Sequence, residues 1–187
     1  MRIRAEQSGD EAAIHRVTEA AFADHPHSEG TEPAIVDALR ADGDFVLSLV
    51  AEGDGEIVGH VAFSRAILST GEQGWLTLGP ISVHPKYQGK GIGRALVEAG
   101  AAHWREAGAK GVVLLGDPAL YGRFGFVRDT PLHIDGPLAR YFQVLPFTNE
   151  IAAASVTFAP AFGLASGCGS RWTSIAASGP ARRRTCR

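Results

Sequence analysis

Cysteine is nearly absent: the chain contains two, Cys168 and Cys186, both close to the C-terminus. Residues 1–163 therefore have no thiol, which excludes a cysteine nucleophile or a cysteine-ligated metal there, and leaves oxygen, nitrogen and backbone groups to do any chemistry. Long apolar runs are missing too. No stretch approaches the roughly 18 residues of a membrane span, and Met1-Arg2-Ile3-Arg4-Ala5-Glu6 lacks the apolar core of a signal peptide, so the expectation is a cytoplasmic protein without a membrane partner. The last 24 residues lack acids: residues 164–187 carry Arg171, Arg182, Arg183, Arg184 and Arg187 against no Asp or Glu. Taking those five from the 18 basic residues leaves 13 against 20 acids, so residues 1–163 carry −7 while the whole chain carries −2. An acidic body disfavours nucleic acid and favours cationic partners such as amines.

What is present is the make-up of one ordinary domain with an appendage. The 187 residues are 45% hydrophobic and 20% charged, enough to bury roughly 70% of the unfolded surface without a disulfide or structural metal. Residues 2–5 alternate like a short strand, and Ser8 with Glu11 reads as a capping box opening a helix through Ile14, Val17, Ala21 and Phe22. A loop at 24–30, suited to face a substrate, precedes a second helix starting at Thr31-Glu32-Pro33. Two β-rich runs, 45–51 and 56–68, flank the hairpin signal Asp54-Gly55. Residues 75–83 form a further strand, which Gly79-Pro80 must kink because proline removes a ladder donor. A long helix at 94–107, an apolar strand at 112–115, a short helix after Asp117-Pro118 and a strand pair around 126–127 and 141–145 complete an α/β arrangement of the α+β type, with a mixed sheet layered by helices. From Ala165 the apolar periodicity is lost, and the expectation is a domain at 1–163 followed by a basic, disordered tail at 164–187. Two accounts of that tail stand: a segment with its own partner, or residues with no selected role.

The segment Ile81-Ser82-Val83-His84-Pro85-Lys86-Tyr87-Gln88-Gly89-Lys90-Gly91-Ile92-Gly93-Arg94 reads as strand, turn and glycine-rich helix N-terminus. Converging N–H groups backed by the helix dipole make an anion site suited to phosphate, to which Lys90 and Arg94 add charge. A P-loop would require Ser or Thr where Gly91 stands, and a dinucleotide-binding G-x-G-x-x-G would require glycine at Arg94, or glycine or alanine at Leu96; both spacings fail.

The pattern that fits, Q-x-x-G-x-G at Gln88, Gly91 and Gly93, resembles motif A of the GNAT superfamily of acetyl-coenzyme A-dependent N-acetyltransferases. Tyr121-Gly122-Arg123-Phe124-Gly125-Phe126 resembles the Y-x-x-x-G-F segment near the end of that fold, and residues 115–121 look like its YhbS-like branch. The resemblance implies a centrally splayed sheet and acetyl transfer from acetyl-CoA to an amine acceptor, small molecule or protein. It also implies pyrophosphate on the amides of Gln88, Gly89, Lys90, Gly91, Ile92, Gly93 and Arg94, with the pantetheine arm beside Ile81, Ser82 and Val83. Gly79-Pro80 falls where the family has its strand bulge, and a homodimer is compatible with the fold.

Acetyl transfer needs an uncharged amine, a polarised carbonyl and a stabilised thiolate. A lysine-like amine is about 0.1% neutral near pH 7, a cost of roughly 4 to 5 kcal/mol, so a base is useful. Backbone N–H groups of the strand, that of Val83 among them, can polarise the carbonyl. By the resemblance, Tyr121 serves the departing thiolate. The strand 75–83 contains no Asp or Glu where many relatives place a carboxylate, which leaves His60, His84, Glu32 and Glu29 as candidate bases. His25 and His27 lack the companions of a metal site, so no metal is assigned. Three function classes remain: an amine acetyltransferase, a non-catalytic acyl-CoA sensor, and a nucleotide-binding module, against which the failed spacings weigh.

Overall fold

A computed structural model describes residues 1–23 and 30–163. The candidate base Glu29, the His25/His27 pair and the whole 164–187 tail lie outside the described residues.

Strand β1 (Arg2–Ala5) leads to helix α1 (Glu11–Phe22). The expected capping box does not form: Asp10, not Ser8, is the N-cap residue, and Glu11 accepts the N–H of Gly9 at 2.8 Å. The cause is electrostatic. Arg4 reaches Asp10 at 2.6 Å and Glu52 at 2.8 Å, so charge-assisted bonds tie β1, the start of α1 and β2 (Phe45–Gly53) together and outcompete a neutral serine cap. Helix α2 (Glu32–Ala41) begins after Thr31, as its sequence predicts, with Pro33 in the first turn.

Strand β3 (Glu56–Arg65) returns through Asp54 (φ 56) and Gly55 (φ 82), both left-handed as a tight hairpin requires. The 56–68 run is not one strand. The β3–β5 ladder ends with the Ala66 N–H donating to the Trp75 carbonyl at 3.0 Å, and β4 (Ile67–Leu68) leaves for a second sheet, where it pairs with residues 156–157. Strand β5 (Trp75–Val83), helix α3 (Ile92–Glu106), strand β6 (Gly111–Leu115) and helix α4 (Pro118–Tyr121) follow. Helix α3 starts two residues before the predicted Arg94, because Gly91 at φ 82 reverses the chain there. Strands β7 (Leu132–His133), β8 (Phe142–Pro146) and β9 (Ala154–Thr157) close the described chain. The strand expected at 126–127 shrinks to a bridge between Val127 and Val144, while the short β7 and β9 were not anticipated.

The main sheet runs β1-β2-β3-β5-β6-β8, parallel only between β5 and β6, and β4-β9-β7 form a smaller sheet. Alternation sorts the side chains between two layers. On one face Trp75, Val113 and Val144 pack with Ile35 and Leu39 of α2 and with Phe158 and Phe162. On the other, Val61, Phe63, Leu76 and Val112 pack with Ile92, Leu96 and Val97 of α3. The result is a mixed sheet with helices on both faces.

Candidate active site

The sheet splits in its middle. The ladder between β5 and β6 holds for Trp75↔Gly111, Leu76↔Val112 and Thr77↔Val113 and then stops. Between Phe63↔Leu78 and Val61↔Ile81, Gly79 and Pro80 together face the single residue Ala62, the bulge expected at this dipeptide. Meanwhile Leu114 and Leu115 pair with Gln143 and Phe142 of β8. Between the diverging strands opens a cleft of about 810 Å³.

Backbone polarity at the open edge follows from register. His84 N–H donates to Val58 O at 2.9 Å, so the alternate residues Ser82 and His84 are the ones bonded to β3. Ile81 and Val83, in the intervening positions, turn their N–H and C=O groups toward the split. Val83 O is in fact taken from that side, by Gln88 Nε2 at 3.0 Å.

The turn beyond β5 is anchored by His84, whose Nδ1 accepts from Lys86 N–H at 3.3 Å and whose carbonyl accepts from Tyr87 N–H at 2.8 Å. The first bond of α3 runs from Ala95 N–H to Gly91 O at 3.0 Å, so the N–H groups of Ile92, Gly93 and Arg94 have no acceptor within the helix. Gln88, Gly89, Gly91, Ile92 and Gly93 line the cleft with Ile81 and Val83. Ser82, Lys90 and Arg94 do not: the Ser82 hydroxyl shares a hydrogen bond with Thr18 of α1 at 3.1 Å, Lys90 lies over the Tyr87 ring at 4.9 Å, and Arg94 pairs with Glu98 at 2.7 Å.

Tyr121 ends α4 in the wall of the cleft. Asp117 caps that helix through the Ala119 N–H at 2.9 Å, and the Tyr121 ring meets Phe124 and Phe126 edge-on at 6.1 and 5.8 Å. Burial pushes its phenol up from 10.0 to about 12, so it is a protonated hydrogen-bond donor throughout the neutral range. Gly116, whose carbonyl accepts from Gln143 Nε2 at 2.9 Å, leaves room for that ring.

Of the candidate bases within the described residues, Glu32 lines the cleft and His60 and His84 do not. His60 is fully buried in the sheet; desolvation, then the charge of Arg40, lowers its pKa to about 3. Arg40 donates to Glu6 at 2.9 Å, the Ser48 hydroxyl donates to Glu6, and His60 Nε2 lies 2.9 Å from Ser48 Oγ. Since the single hydroxyl proton goes to the carboxylate, His60 Nε2 carries the proton that Ser48 accepts, and Nδ1 is a bare acceptor without a partner. His60 and His84 thus stand outside the cleft lining. No cluster of metal-ligating side chains forms among the described residues.

The sequence reading missed the far end of the cleft, where Phe22, Tyr141, Phe158 and Phe162 join Glu32. Phe158 and Phe162 pack edge-on at 5.8 Å, and Phe162 lies against Gly79 at the vertex of the split. Nothing in their pattern separates them from core aromatics.

A mixed sheet parted at a bulge, with an open helix N-terminus beside the gap, is the frame in which comparison with known proteins identifies the family. Residues 44–128 match the acetyltransferase (GNAT) domain. The chain is 39% identical over 127 residues to a protein named uncharacterized N-acetyltransferase YhbS from Escherichia coli K12, covering 67% of this chain and 73% of the relative. It also resembles the crystal structure of a GNAT family acetyltransferase from Brucella melitensis in complex with acetyl-CoA, at 46% identity and a TM-score of 0.75, over 86% of this chain and 97% of that one. Escherichia coli YhbS in complex with CoA superimposes at 34% identity and a TM-score of 0.77, over 91% of this chain and 95% of that one. The chain belongs to the GNAT family of acetyltransferases.

Proposed function

We propose that the chain is an N-acetyltransferase that transfers the acetyl group of acetyl-CoA to a primary amine by direct attack within a ternary complex, in a domain spanning residues 1–163 and located in the cytoplasm. The observation that carries this reading is the meeting, in one cleft, of the N–H cradle at the start of α3, the open backbone edge of β5 and the Tyr121 phenol. These groups suit acetyl-CoA: a helix N-terminus takes a pyrophosphate, and an unpaired strand edge takes an amide-bearing arm. When bound, acetyl-CoA supplies the thioester that is attacked.

The residues then divide the work. The Gln88 N–H is donated to Pro85 O at 3.3 Å, so the amides of Gly89, Lys90, Gly91, Ile92, Gly93 and Arg94 are left to hold the pyrophosphate, and the backbone of Ile81 and Val83 orients the arm. An N–H of Ile81 or Val83 polarises the thioester carbonyl; loss of one such donor in other enzymes costs about 10² to 10³ in rate. Tyr121 hydrogen-bonds to the departing sulfur. With the phenol at about 12 and a thiol near ~8.5, complete proton transfer is uphill by about 5 kcal/mol. Tyr121 therefore acts by donating a hydrogen bond and keeps its proton.

A second reading, a non-catalytic acyl-CoA sensor, draws on the lack of a carboxylate anywhere in β5. The two are separated by incubating the full chain with acetyl-CoA and a broad panel of primary amines while following thiol release. Amine-dependent release is the expected result. Binding of acetyl-CoA without turnover of any amine would make the protein a sensor.

A further inference from the structure

Strand β8 carries one polar side chain in an otherwise apolar run. Gln143 sits between Phe142 and Val144, opposite Leu114 of β6, and is 1% exposed. A buried amide is costly unless it is hydrogen-bonded. Gln143 meets that need with main-chain carbonyls just beyond the last β6–β8 pair, Leu115↔Phe142. Its Nε2 donates to Gly116 O at 2.9 Å and, more weakly, to Tyr141 O at 3.5 Å. Tyr141 O also accepts the Gly116 N–H at 3.0 Å. The backbone thus secures the N–H of Gly116, and the glutamine secures its carbonyl.

That carbonyl sets how the chain leaves the sheet. The peptide between Gly116 and Asp117 is the last before α4, and Gly116 has the wide backbone freedom of a residue without a side chain. Asp117 then opens α4 through the Ala119 N–H, and its own carbonyl accepts the N–H groups of Leu120 and Tyr121 at 3.0 Å. The cap, the short helix and the Tyr121 ring, which itself rests on Gly116, therefore all follow from one fixed peptide. Phe124 and Phe126 bear on the ring edge-on and leave the direction of α4 to the strand that feeds it.

Resting on the reading of Tyr121 as hydrogen-bond donor to the departing sulfur, we infer that Gln143 is a positioning residue for the transfer: by holding the Gly116 carbonyl it aims α4, and so sets where the Tyr121 hydroxyl stands. Gln143 does not line the cleft and acts through Gly116 and Tyr121, which do. A reacting group displaced by about an ångström can cost about 10² in rate, so a partial loss of aim is visible in kcat.

The test uses the full chain with acetyl-CoA and a broad panel of primary amines that includes phenylethylamine, spermidine and a lysine peptide with a blocked N-terminus; the amine giving the fastest thiol release serves as acceptor. Gln143→Met keeps the length of the side chain and loses its donor. It should lower kcat about tenfold and leave acetyl-CoA affinity, read by calorimetry, near that of wild type. In a Tyr121→Phe background the same substitution should lower kcat no further, since the hydroxyl it displaces is gone. Fluorine NMR of chains with fluorotyrosine at Tyr87, Tyr121 and Tyr141 reads the position directly. The line lost in Tyr121→Phe should shift in Gln143→Met while the Tyr87 line holds. Gln143→Leu runs in parallel, and a retained acetyl-CoA thermal shift reports that each variant is folded. Unchanged kcat, an unmoved Tyr121 line, or losses that multiply in the double variant would overturn the assignment while Tyr121 keeps its role. If instead Tyr121→Phe alone leaves kcat unchanged, or the wild-type chain turns over no amine of the panel, the catalytic reading itself fails and the inference falls with it.

Discussion

A Cβ placed on Gly116 would lie 2.2 Å from Cε2 of Tyr121, closer than real carbon atoms approach. The ring of the phenol that faces the cleft therefore rests on a residue that has no side chain. Gly116 is itself fixed at both polar atoms, its N–H by Tyr141 O at 3.0 Å and its carbonyl by Gln143 Nε2 at 2.9 Å. With that backbone unable to retreat, an added methyl must move the tyrosine.

Gly116→Ala should accordingly lower kcat by about 10- to 100-fold, the usual result of moving a reacting group by about an ångström. Acetyl-CoA affinity should stay near wild type, because the cradle at Gln88 to Gly93 is untouched. Steady-state kinetics with an accepted amine check this; full activity would mean that the position of Tyr121 is not used.

Tyr121→Phe should lower kcat by ~10² with little change in acetyl-CoA affinity, since the hydroxyl acts on charge that develops only in the transition state. The pH dependence has a definite sign. The folded pKa of about 12 lies above the ordinary 10.0, so the stability gained by keeping the phenol neutral is complete below pH 10 and is lost as pH rises from there toward 12. The rate should show no fall assignable to this phenol below about pH 11.

His60 gives the opposite edge. Its folded pKa of about 3 lies below the ordinary 6.5, so the unfolded chain takes up the proton first as pH falls. Stability should be full above pH 6.5 and decline toward pH 3, by at most about 1.4 kcal/mol per unit. Denaturant melts of His60→Leu across that window should show a shallower acid slope than wild type. Parallel slopes would mean that His60 is not held neutral.

The α3 glycine at 100 sets helix propensity against packing. Propensity alone favours Gly100→Ala by roughly 1 kcal/mol. The new Cβ, however, would fall 2.2 Å from Cζ of the fully buried Phe63, and overpacking of this kind costs about 1 to 3 kcal/mol. The variant should be net destabilised, with a lower urea midpoint; a gain would show that Phe63 can move aside.

Legibility in the sequence followed how local the governing interaction is. The Asp54-Gly55 hairpin, the Gly79-Pro80 bulge, the glycine turn and the stretch from Asp117-Pro118 to Tyr121 were all readable, because each is fixed by the backbone preferences of a few adjacent residues. The start of α1 was misread because Arg4, six residues earlier, claims Asp10. The break after Ala66 escaped notice because β4 leaves to pair with β9, far later in the chain, and a distant partner leaves no local signal. Among the candidate bases, letters alone could not rank His60 against Glu32; only the strand register, which buries one inside the sheet, and the start of α2, which brings the other to the cleft, separate them. Phe158 and Phe162 were invisible for a related reason: aromatics after a short strand look the same whether they fill a core or wall a pocket.

The central claim is that the turn from Gln88 to Gly93 is the donor cradle, and titration calorimetry with acetyl-CoA tests it most directly. Gly91 sits at φ 82 with nothing within 4 Å of where a Cβ would project, so Gly91→Glu strains the turn and sets a carboxylate where a pyrophosphate would lie. The account predicts clear binding by the wild-type chain and none detectable by the folded variant at the same concentrations. Binding of equal strength by both would contradict it.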